Sequence, residues 1–524
     1  MDYDAVIVGC GHNGLVAAFY LAKAGLRVLA LESRDEVGGM CATDELFPGY
    51  HFSTCAHSFV LFHTKLLDEM RLLDRGLRIH AREPEMFHPF ASGEHLLFWH
   101  DTDKTLDSIA RISPRDARAY PAWQRFWERA GRLFEPFLLT PPPTLGEFIR
   151  RFEGGPDEDL AYKLIAGTTR GIVEEFFESE EMRASTLASF DAGSTDAAGS
   201  LLYWAFHASV SGPLAARKLV GYPQGGMGSV ARALKEAAVE AGAKVMTGKR
   251  VDSVLVRDGA AVGVQVEGEG EIRARAVLSN ADPRKTFLSL VGTERLPAEF
   301  SDKVRRLHTT AGYMKLHCAA SGLPDWTALP GSGPLPHHRA QARMCRSLDV
   351  LDDSWNAARR ENLPEEFSIA LVCPSIYDPN LAPPGHHTIT IWVEFAPINP
   401  AGGGWSAIRE RATDQLIGQV ARHAPNIIDI IQDRYLHTPA DIEARVGASG
   451  GSMHHLDMTL DQMLARRPLP ECADYRTPLR NLYLCGAGSH PGGGVTGLPG
   501  HNAASAVVED LGRSGGLAPG RRGA

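Results

Sequence analysis

The fold is decided by the stretch Ala5-Val6-Ile7-Val8-Gly9-Cys10-Gly11-His12-Asn13-Gly14, in which an apolar, β-branched run ends in a GxGxxG motif. The run predicts a buried strand, and residues 15–24 predict a helix that stops at Gly25. A second apolar run, residues 26–31, predicts another strand, which ends at Glu32. This order of strand, glycine turn, helix and strand is typical of the βαβ unit of a Rossmann-type sheet.

Each part of that unit has a physical role in binding a dinucleotide. Gly9 allows the tight turn, Gly11 lets the backbone approach a pyrophosphate, and Gly14 lets helix and strand pack closely. The helix N-terminus presents free N–H groups and a partial positive charge to the phosphates. Glu32 follows Gly14 by 18 residues and can accept hydrogen bonds from ribose hydroxyls.

A second glycine pair, Gly38-Gly39, follows Glu32 by six residues and would let another backbone segment pass close to the same dinucleotide. This layout resembles the long N-terminal signature of FAD proteins in the amine oxidase and phytoene desaturase superfamily. Many members carry Arg after that pair, where this chain has Met40. The resemblance therefore implies FAD, with a different side chain at one contact.

Two later segments extend the resemblance along the chain. Residues 223–229, Pro-Gln-Gly-Gly-Met-Gly-Ser, are similar to a GGMG segment of the superfamily, and the strand containing Val251 commonly lies over the adenine. A role for Val251 as a plain core residue is equally favoured. Near the end, residues 481–486 predict a strand that runs into a glycine. In the superfamily, the helix start that follows faces the isoalloxazine ring.

The chain most resembles the branch called pyridine nucleotide-disulfide oxidoreductase domain-containing protein 2. That similarity also rests on residues 450–452, Gly-Gly-Ser, and on residues 458–462, Met-Thr-Leu-Asp-Gln. A disulfide reductase needs a closely spaced redox pair of cysteines, whereas Cys41 and Cys55 are fourteen residues apart. The one other GxGxxG match, residues 492–497, precedes the helix assigned to the flavin and is not part of a second predicted βαβ unit. We therefore expect neither disulfide reduction nor a stable NAD(P) site.

The predicted fold class is α/β, with a discontinuous Rossmann-type FAD-binding domain and an α+β substrate domain that carries a helical insert. We assign the FAD-binding domain to residues 1–85, 220–300 and 472–512, the substrate domain to residues 86–219 and 301–471, and a disordered tail to residues 513–524.

The predicted cofactor-binding residues come from all three segments of the FAD-binding domain. They are Gly9, Gly11, His12, Asn13, Gly14, Glu32, Gly38, Gly39, Met40, Val251, Gly486, Gly494 and Val495. No spacing typical of metal ligands, such as HExxH, occurs in the sequence, so we expect no metal.

Three residues are candidates for a catalytic group beside the flavin. His57 lies in a segment that relatives place near the flavin, and an imidazole of ordinary pKa, about 6.5, could accept a substrate proton. On this hypothesis His57→Ala slows flavin reduction at least about 10²-fold. His455 follows His454, and adjacent residues of a strand point to opposite faces, so at most one faces the ring. Glu394 lies in an otherwise apolar strand. For each residue the alternative is a structural role, which for Glu394 would be a salt bridge.

Composition excludes several classes of protein. The 524 residues carry 54 basic and 63 acidic side chains, and a net charge of −9 argues against a nucleic-acid partner. No apolar run reaches the roughly 18 residues of a membrane span, and the acidic N-terminus is not a signal peptide. The eight cysteines without a CxxC pair suggest a reduced, cytoplasmic protein. The apolar residues 201–210 predict a buried helix, with the lining of an apolar substrate tunnel or peripheral contact with a membrane as the alternatives.

Together these features predict an FAD-dependent dehydrogenase or oxidase that desaturates a C–C bond of an apolar small molecule by hydride transfer to flavin N5. Its electrons would pass to oxygen, a quinone or another redox protein. The alternatives are oxidation of an amine C–N bond, redox-neutral isomerisation, and a flavin-bound assembly protein with little turnover. The resemblance to the superfamily does not identify the substrate or the oligomeric state.

Overall fold

The computed structural model describes residues 2–187, 192–331 and 333–512, and the predicted tail, residues 513–524, lies outside them. Two seven-stranded sheets organise the described chain. The strands are β1 Tyr3–Val8, β2 Val28–Leu31, β3 Thr43–Phe47, β4 Tyr50–Ser53, β5 Ile79–Ala81, β6 Met86–Pro89, β7 His95–Phe98, β8 Gly221–Pro223, β9 Lys244–Met246, β10 Val251–Arg257, β11 Ala260–Val266, β12 Gly270–Ser279, β13 Gly312–Ala320, β14 Gln341–Met344, β15 Ile369–Val372, β16 His387–Ala396, β17 Ile431–His437 and β18 Leu482–Leu484.

Helices pack on both sheets and fill the interval between β7 and β8. The α-helices are α1 His12–Lys23, α2 Thr64–Glu69, α3 Thr102–Ile112, α4 Pro114–Phe134, α5 Leu145–Arg150, α6 Glu158–Ala166, α7 Thr169–Phe176, α8 Glu180–Leu187, α9 Ser200–Ala216, α10 Gly228–Glu240, α11 Ala298–Arg305, α12 Pro336–Arg339, α13 Leu348–Arg359, α14 Gly404–Ala421, α15 Ile427–Ile430, α16 Pro439–Val446 and α17 Leu498–Asp510.

The first sheet has the order β10-β11-β12-β1-β2-β9, and β18 pairs with β12. Strands β1, β2, β9, β12 and β18 pair in parallel, so their carboxyl ends meet at one edge. Residues 5–7 of β1 are fully buried because helices cover the sheet, which explains the continuous apolar run. The predicted α/β class and Rossmann-type sheet are therefore confirmed.

The second sheet has the order β17-β13-β16-β15-β14-β6-β7 and is antiparallel except for the pairing of β14 with β6. Helices α3–α9 form the predicted helical insert. Within it, the start of α4 is capped: the Ser113 side chain accepts a hydrogen bond from the N–H of Asp116, and Pro114 is the first helical residue. Across residues 2–187, 192–331 and 333–512, we find no helix with the length and apolarity that a membrane crossing requires.

Candidate active site

The two glycine segments lie against each other at the carboxyl edge of the first sheet. Gly11 and Gly38 form a parallel bridge, and the Gly38 N–H donates to the Cys10 carbonyl at 2.9 Å. Gly38 has φ 125°, a conformation that favours glycine. A Cβ on Gly14 would lie 2.1 Å from the Gly9 carbonyl oxygen, so helix α1 can pack here only with glycine at that position.

A first cavity, of about 320 Å³, opens beside these glycines. Glu32 lines it at the end of β2 and holds the turn in place, because its carboxylate accepts hydrogen bonds from the N–H groups of Cys10, at 2.9 Å, and Arg34, at 3.1 Å. Of the predicted cofactor-binding residues, eight line this cavity: Gly9, Gly11, His12, Asn13, Glu32, Gly39, Met40 and Val251.

The other five predicted cofactor-binding residues lie around the first cavity without lining it. Gly14 and Gly38 permit the close packing just described. Gly486 packs against Asn280, and its neighbour Ala487 lines the cavity instead. Gly494 and Val495 line a second cavity.

Cationic side chains surround the first cavity and suit a diphosphate. Arg34 and Arg445 have buried guanidinium nitrogens, Nη1 and Nε, for which the described chain supplies no acceptor. Lys249, Arg250 and Lys285 also line this cavity. The glycine turn, the helix N-terminus and the donors without acceptors fit the pyrophosphate of a dinucleotide.

A second cavity, of about 530 Å³, adjoins the first, since His12, Met40 and Met453 line both. One face of the second sheet forms its floor. Strands β6, β14 and β16 each contribute residues two apart, which point to the same face. These floor residues are Met86, His88, Gln341, Arg343, Trp392 and Glu394. Aromatic residues of α4 and α9 line the cavity opposite: Tyr120, Trp123, Tyr203 and Trp204.

An aromatic pair lies on the floor near the junction of the two cavities. The rings of Tyr313 and Trp392 stack with centroids 5.0 Å apart and planes at 28°. They pack in one apolar cluster with Met40 and Met453, which line both cavities. Sequence reasoning missed this pair, because the two residues belong to strands separated by more than seventy residues.

His12 joins the two ends of the chain at this junction. Its Nε2 lies 3.1 Å from the carbonyl oxygen of Gly494, a residue 482 positions away. Burial lowers the pKa of His12 to about 4, so the ring is neutral at physiological pH. His12 therefore positions the glycine-rich loop, residues 491–497, beside the dinucleotide turn.

His57 lines the second cavity, with its ring centroid 5.7 Å from that of Trp392. Burial lowers the pKa of His57 well below its ordinary value, and the charges of Lys315, Arg82 and Arg343 lower it further. The ordinary pKa assumed from the sequence is therefore wrong, because the pKa of this imidazole is set first by burial and then by charged side chains from three distant segments.

The two adjacent histidines lie in a turn that follows residues 449–451, whereas the sequence predicted a strand. The prediction of a strand was wrong because His455 adopts φ 63°, which no extended strand accommodates. The two side chains nevertheless diverge. His455 lines the first cavity, with a pKa lowered to about 4 by burial, and His454 lines the second.

Glu394 lies on β16, is buried, and lines the second cavity. Its Oε1 accepts a hydrogen bond from Arg343 at 2.8 Å and one from the Trp392 indole N–H at 3.1 Å. The salt bridge considered from the sequence is therefore present. It fixes Arg343 and Trp392 relative to each other on the cavity floor.

Arg467 is a structural residue of the site that sequence reasoning missed. It is 0% exposed, and its guanidinium donates to backbone carbonyls on both sides of the junction. The acceptors are the carbonyl oxygens of His454, Leu456, Asp457, Gln462 and Ala487. Arg467 thereby ties the histidine turn to the loop that lines the first cavity.

Comparison with known families identifies the family of the chain. The family model described as "Flavin containing amine oxidoreductase" matches residues 14–507, which is nearly the whole chain. The chain belongs to this family of flavin-containing amine oxidoreductases. It is an FAD-dependent oxidoreductase, and the first cavity, with its glycine turn and cations, is where the residues fit FAD.

Relatives of this oxidoreductase cover nearly its full length. It is 32% identical to the rat (Rattus norvegicus) pyridine nucleotide-disulfide oxidoreductase domain-containing protein 2, over 97% of this chain and 94% of that one. It is 26% identical to a lycopene-forming phytoene desaturase of Pseudescherichia vulneris, over 97% and 99% of the two chains. A triple mutant of putrescine oxidase shares its fold, with a TM-score of 0.62, 15% identity and coverage of 98% and 99%.

The cysteines of this oxidoreductase contrast with the first relative's name. All eight are free and buried, including Cys41 and Cys55. Burial raises the pKa of both thiols, which disfavours the thiolate that disulfide exchange requires.

We expect Glu32→Ala to weaken FAD binding. The variant removes an acceptor for ribose hydroxyls, and a hydrogen bond to a charged group contributes about 1.5–3 kcal/mol. It also releases the N–H of Cys10, which the carboxylate holds in the dinucleotide turn. The measurement is the Kd of apoprotein for FAD, followed by flavin fluorescence. Glu36→Ala, at an exposed position nearby, is the control. Equal Kd values for both variants would contradict this role.

Proposed function

We propose that this oxidoreductase desaturates a C–C bond of an apolar substrate held in the second cavity. When bound, FAD supplies the acceptor of a hydride. The observation that carries the proposal is the charge around His57, where the strongest electrostatic effects come from three cations: Lys315, Arg82 and Arg343.

Those cations disfavour a positively charged substrate near the junction of the cavities. Burial is the main reason for the lowered pKa of His57, and these charges lower it further; a protonated amine would be repelled by the same charges. Lys315 is fully buried, which lowers the pKa of its ammonium group to about 7, so its positive charge is complete only below that pH and the two arginines carry the repulsion above it. Its Nζ donates to the carbonyl oxygens of Ser53 and Cys55 and lies 5.7 Å from the Trp392 ring centroid. A neutral C–H substrate does not experience this repulsion.

The lining of the second cavity also suits an apolar substrate. The stacked Tyr313–Trp392 pair provides a flat surface at the junction, and the aromatic side chains of α4 and α9 line the opposite side. The full-length similarity to a protein named as a phytoene desaturase supports C–C chemistry. The likeness to putrescine oxidase, at 15% identity, supports the fold alone.

The proposal is tested by anaerobic mixing of the holoenzyme with a panel of apolar alkenes and of amines such as putrescine and benzylamine. We expect the apolar compounds to bleach the flavin absorbance, with a product lighter by two hydrogens in stoichiometric amount. A product of unchanged mass would indicate isomerisation. Bleaching by the amines with release of an aldehyde would contradict the proposal.

We expect His57→Ala to retain FAD and to slow flavin reduction by less than about 10²-fold, a smaller effect than the ordinary pKa predicts. Burial and the neighbouring cations keep the imidazole neutral, so wild type and variant should share one pH profile between about pH 6 and 9. The measurement is stopped-flow reduction across that range. His51→Ala, in the same segment but lining neither cavity, is the control. A wild-type rate that rises with pH and loses this rise in the variant would restore His57 as the base.

A further inference from the structure

We propose that the substrate of the second cavity carries a carboxylate and that Arg82 binds it. This inference rests on the proposed function, because it names the chemical class of substrate for the same site. It starts from Arg82, which lines the cavity and is 6% exposed.

Arg82 has a buried charge that the described chain leaves without a counter-ion. Its Nη1 donates to the Oε1 of Gln341, a neutral group, and its Nε has no acceptor among the described residues. The ring of Tyr222 lies 5.8 Å from the guanidinium carbon. A buried arginine is normally paired with an anion, because desolvation of an unpaired charge is costly.

The acidic residues of the cavity are already engaged elsewhere. Glu85 pairs with His100, whose Nε2 lies 3.1 Å from its Oε1. Glu394 pairs with Arg343 at 2.8 Å. The cavity therefore holds two arginines, of which Arg343 has a protein carboxylate and Arg82 has none in the described ranges.

His88 provides a second buried donor on the same floor. It is 1% exposed, and neither ring nitrogen has a hydrogen-bond partner within the described chain. Burial and the charge of Arg343 lower its pKa to about 3, so it is a neutral ring that can donate one N–H. It lies two residues along β6 from Met86, which is in register with Gln341, the residue that holds Arg82.

The position of these donors sets the shape of the substrate. Ala370 of β15 is in register with Trp392 on one side and with Arg343 on the other. Trp392 and Arg343 are therefore two strand spacings apart, about 10 Å. β6 lies one strand further from the junction. A carboxylate at Arg82 therefore directs an apolar chain across the floor to the Tyr313–Trp392 pair, where the two cavities meet.

The test measures binding to the oxidised holoenzyme, without turnover. Decanoate, 1-decanol and decylamine have the same chain length and differ in the head group, and calorimetry gives their Kd values. We expect wild type to bind decanoate at least about tenfold more tightly than decanol, and decylamine most weakly. Arg82→Gln should raise the Kd for decanoate at least about tenfold and change that for decanol less than about twofold. Arg257→Gln, at an exposed arginine of β10, is the matched control and should change neither.

Similar affinities of wild type for the three compounds would overturn the proposal, whether or not Arg82→Gln folds. So would an unchanged preference for decanoate in a folded Arg82→Gln variant that retains FAD. This binding test can fail independently of the test of the proposed function. Binding of decanoate by a protein whose flavin no panel compound reduces would contradict the desaturase proposal alone, and reduction by apolar compounds without any preference for the carboxylate would contradict this one alone.

Discussion

Arg467→Met is expected to destabilise the protein by at least about 3 kcal/mol and to release FAD. The variant removes a fully buried guanidinium that donates to five backbone carbonyl oxygens. Methionine fills part of the volume but donates no hydrogen bond, and a buried acceptor without a partner costs about 1–3 kcal/mol. Because the acceptors include the carbonyls of His454 and Ala487, the loss separates the histidine turn from the edge of the first cavity.

The measurements are the free energy of unfolding in urea and the FAD content of the purified variant. Arg466→Gln is the matched control, because the neighbouring arginine is exposed and donates to a single carbonyl, that of Asp461. Arg467→Lys keeps a charge but has fewer donors than the five N–H groups of arginine, so it should rescue only part of the stability. If Arg467→Met unfolds at the urea concentration of wild type and keeps its FAD, the hydrogen bonds of Arg467 contribute little to stability or to FAD binding.

Much of the first sheet could be predicted because its signals are local. A strand, a glycine turn and a helix within twenty residues specify one another through short-range sterics, and Glu32 follows at a spacing that the βαβ unit determines. Seven of the eight predicted residues that line the first cavity lie in this N-terminal segment, whereas Val251, from a later strand, was expected only from the resemblance to the superfamily. The close approach of Gly38 to Gly11 confirms the reason given for the second glycine pair.

The second cavity could not be predicted, because its lining is assembled from strands and helices far apart in the chain. Arg343 and Glu394 meet only when β14, β15 and β16 pair, and Arg82 reaches Gln341 across 259 positions. The lowered pKa of His57 has the same origin, since it depends on burial in this assembled site and on cations from three segments. A usable signal was present in the alternation of polar residues along apolar strands, as in Trp392 and Glu394 on β16.

The GxGxxG motif supports a further prediction, that Gly14→Ala abolishes FAD binding. The added Cβ would lie 2.1 Å from the carbonyl oxygen of Gly9, a contact with backbone that no side-chain rotation relieves. Helix α1 would have to move away from β1. Its other side is also closed, because Gly500 of α17 packs so tightly on it that a Cβ there would lie 2.0 Å from the Asn13 carbonyl oxygen.

The expected result is protein without bound flavin, destabilised by more than the 1–3 kcal/mol typical of overpacking a core with side chains. FAD content and urea unfolding measure the two effects. Gly418→Ala is the control, because this glycine lies inside α14 and the added Cβ would have no atom within 4 Å apart from its chain neighbours and its own helix backbone. That variant should equal wild type or gain up to about 1 kcal/mol from the helix propensity of alanine. A Gly14→Ala protein that binds FAD with wild-type affinity would show that α1 can shift without disturbing the dinucleotide turn, and the packing argument for this glycine would fail.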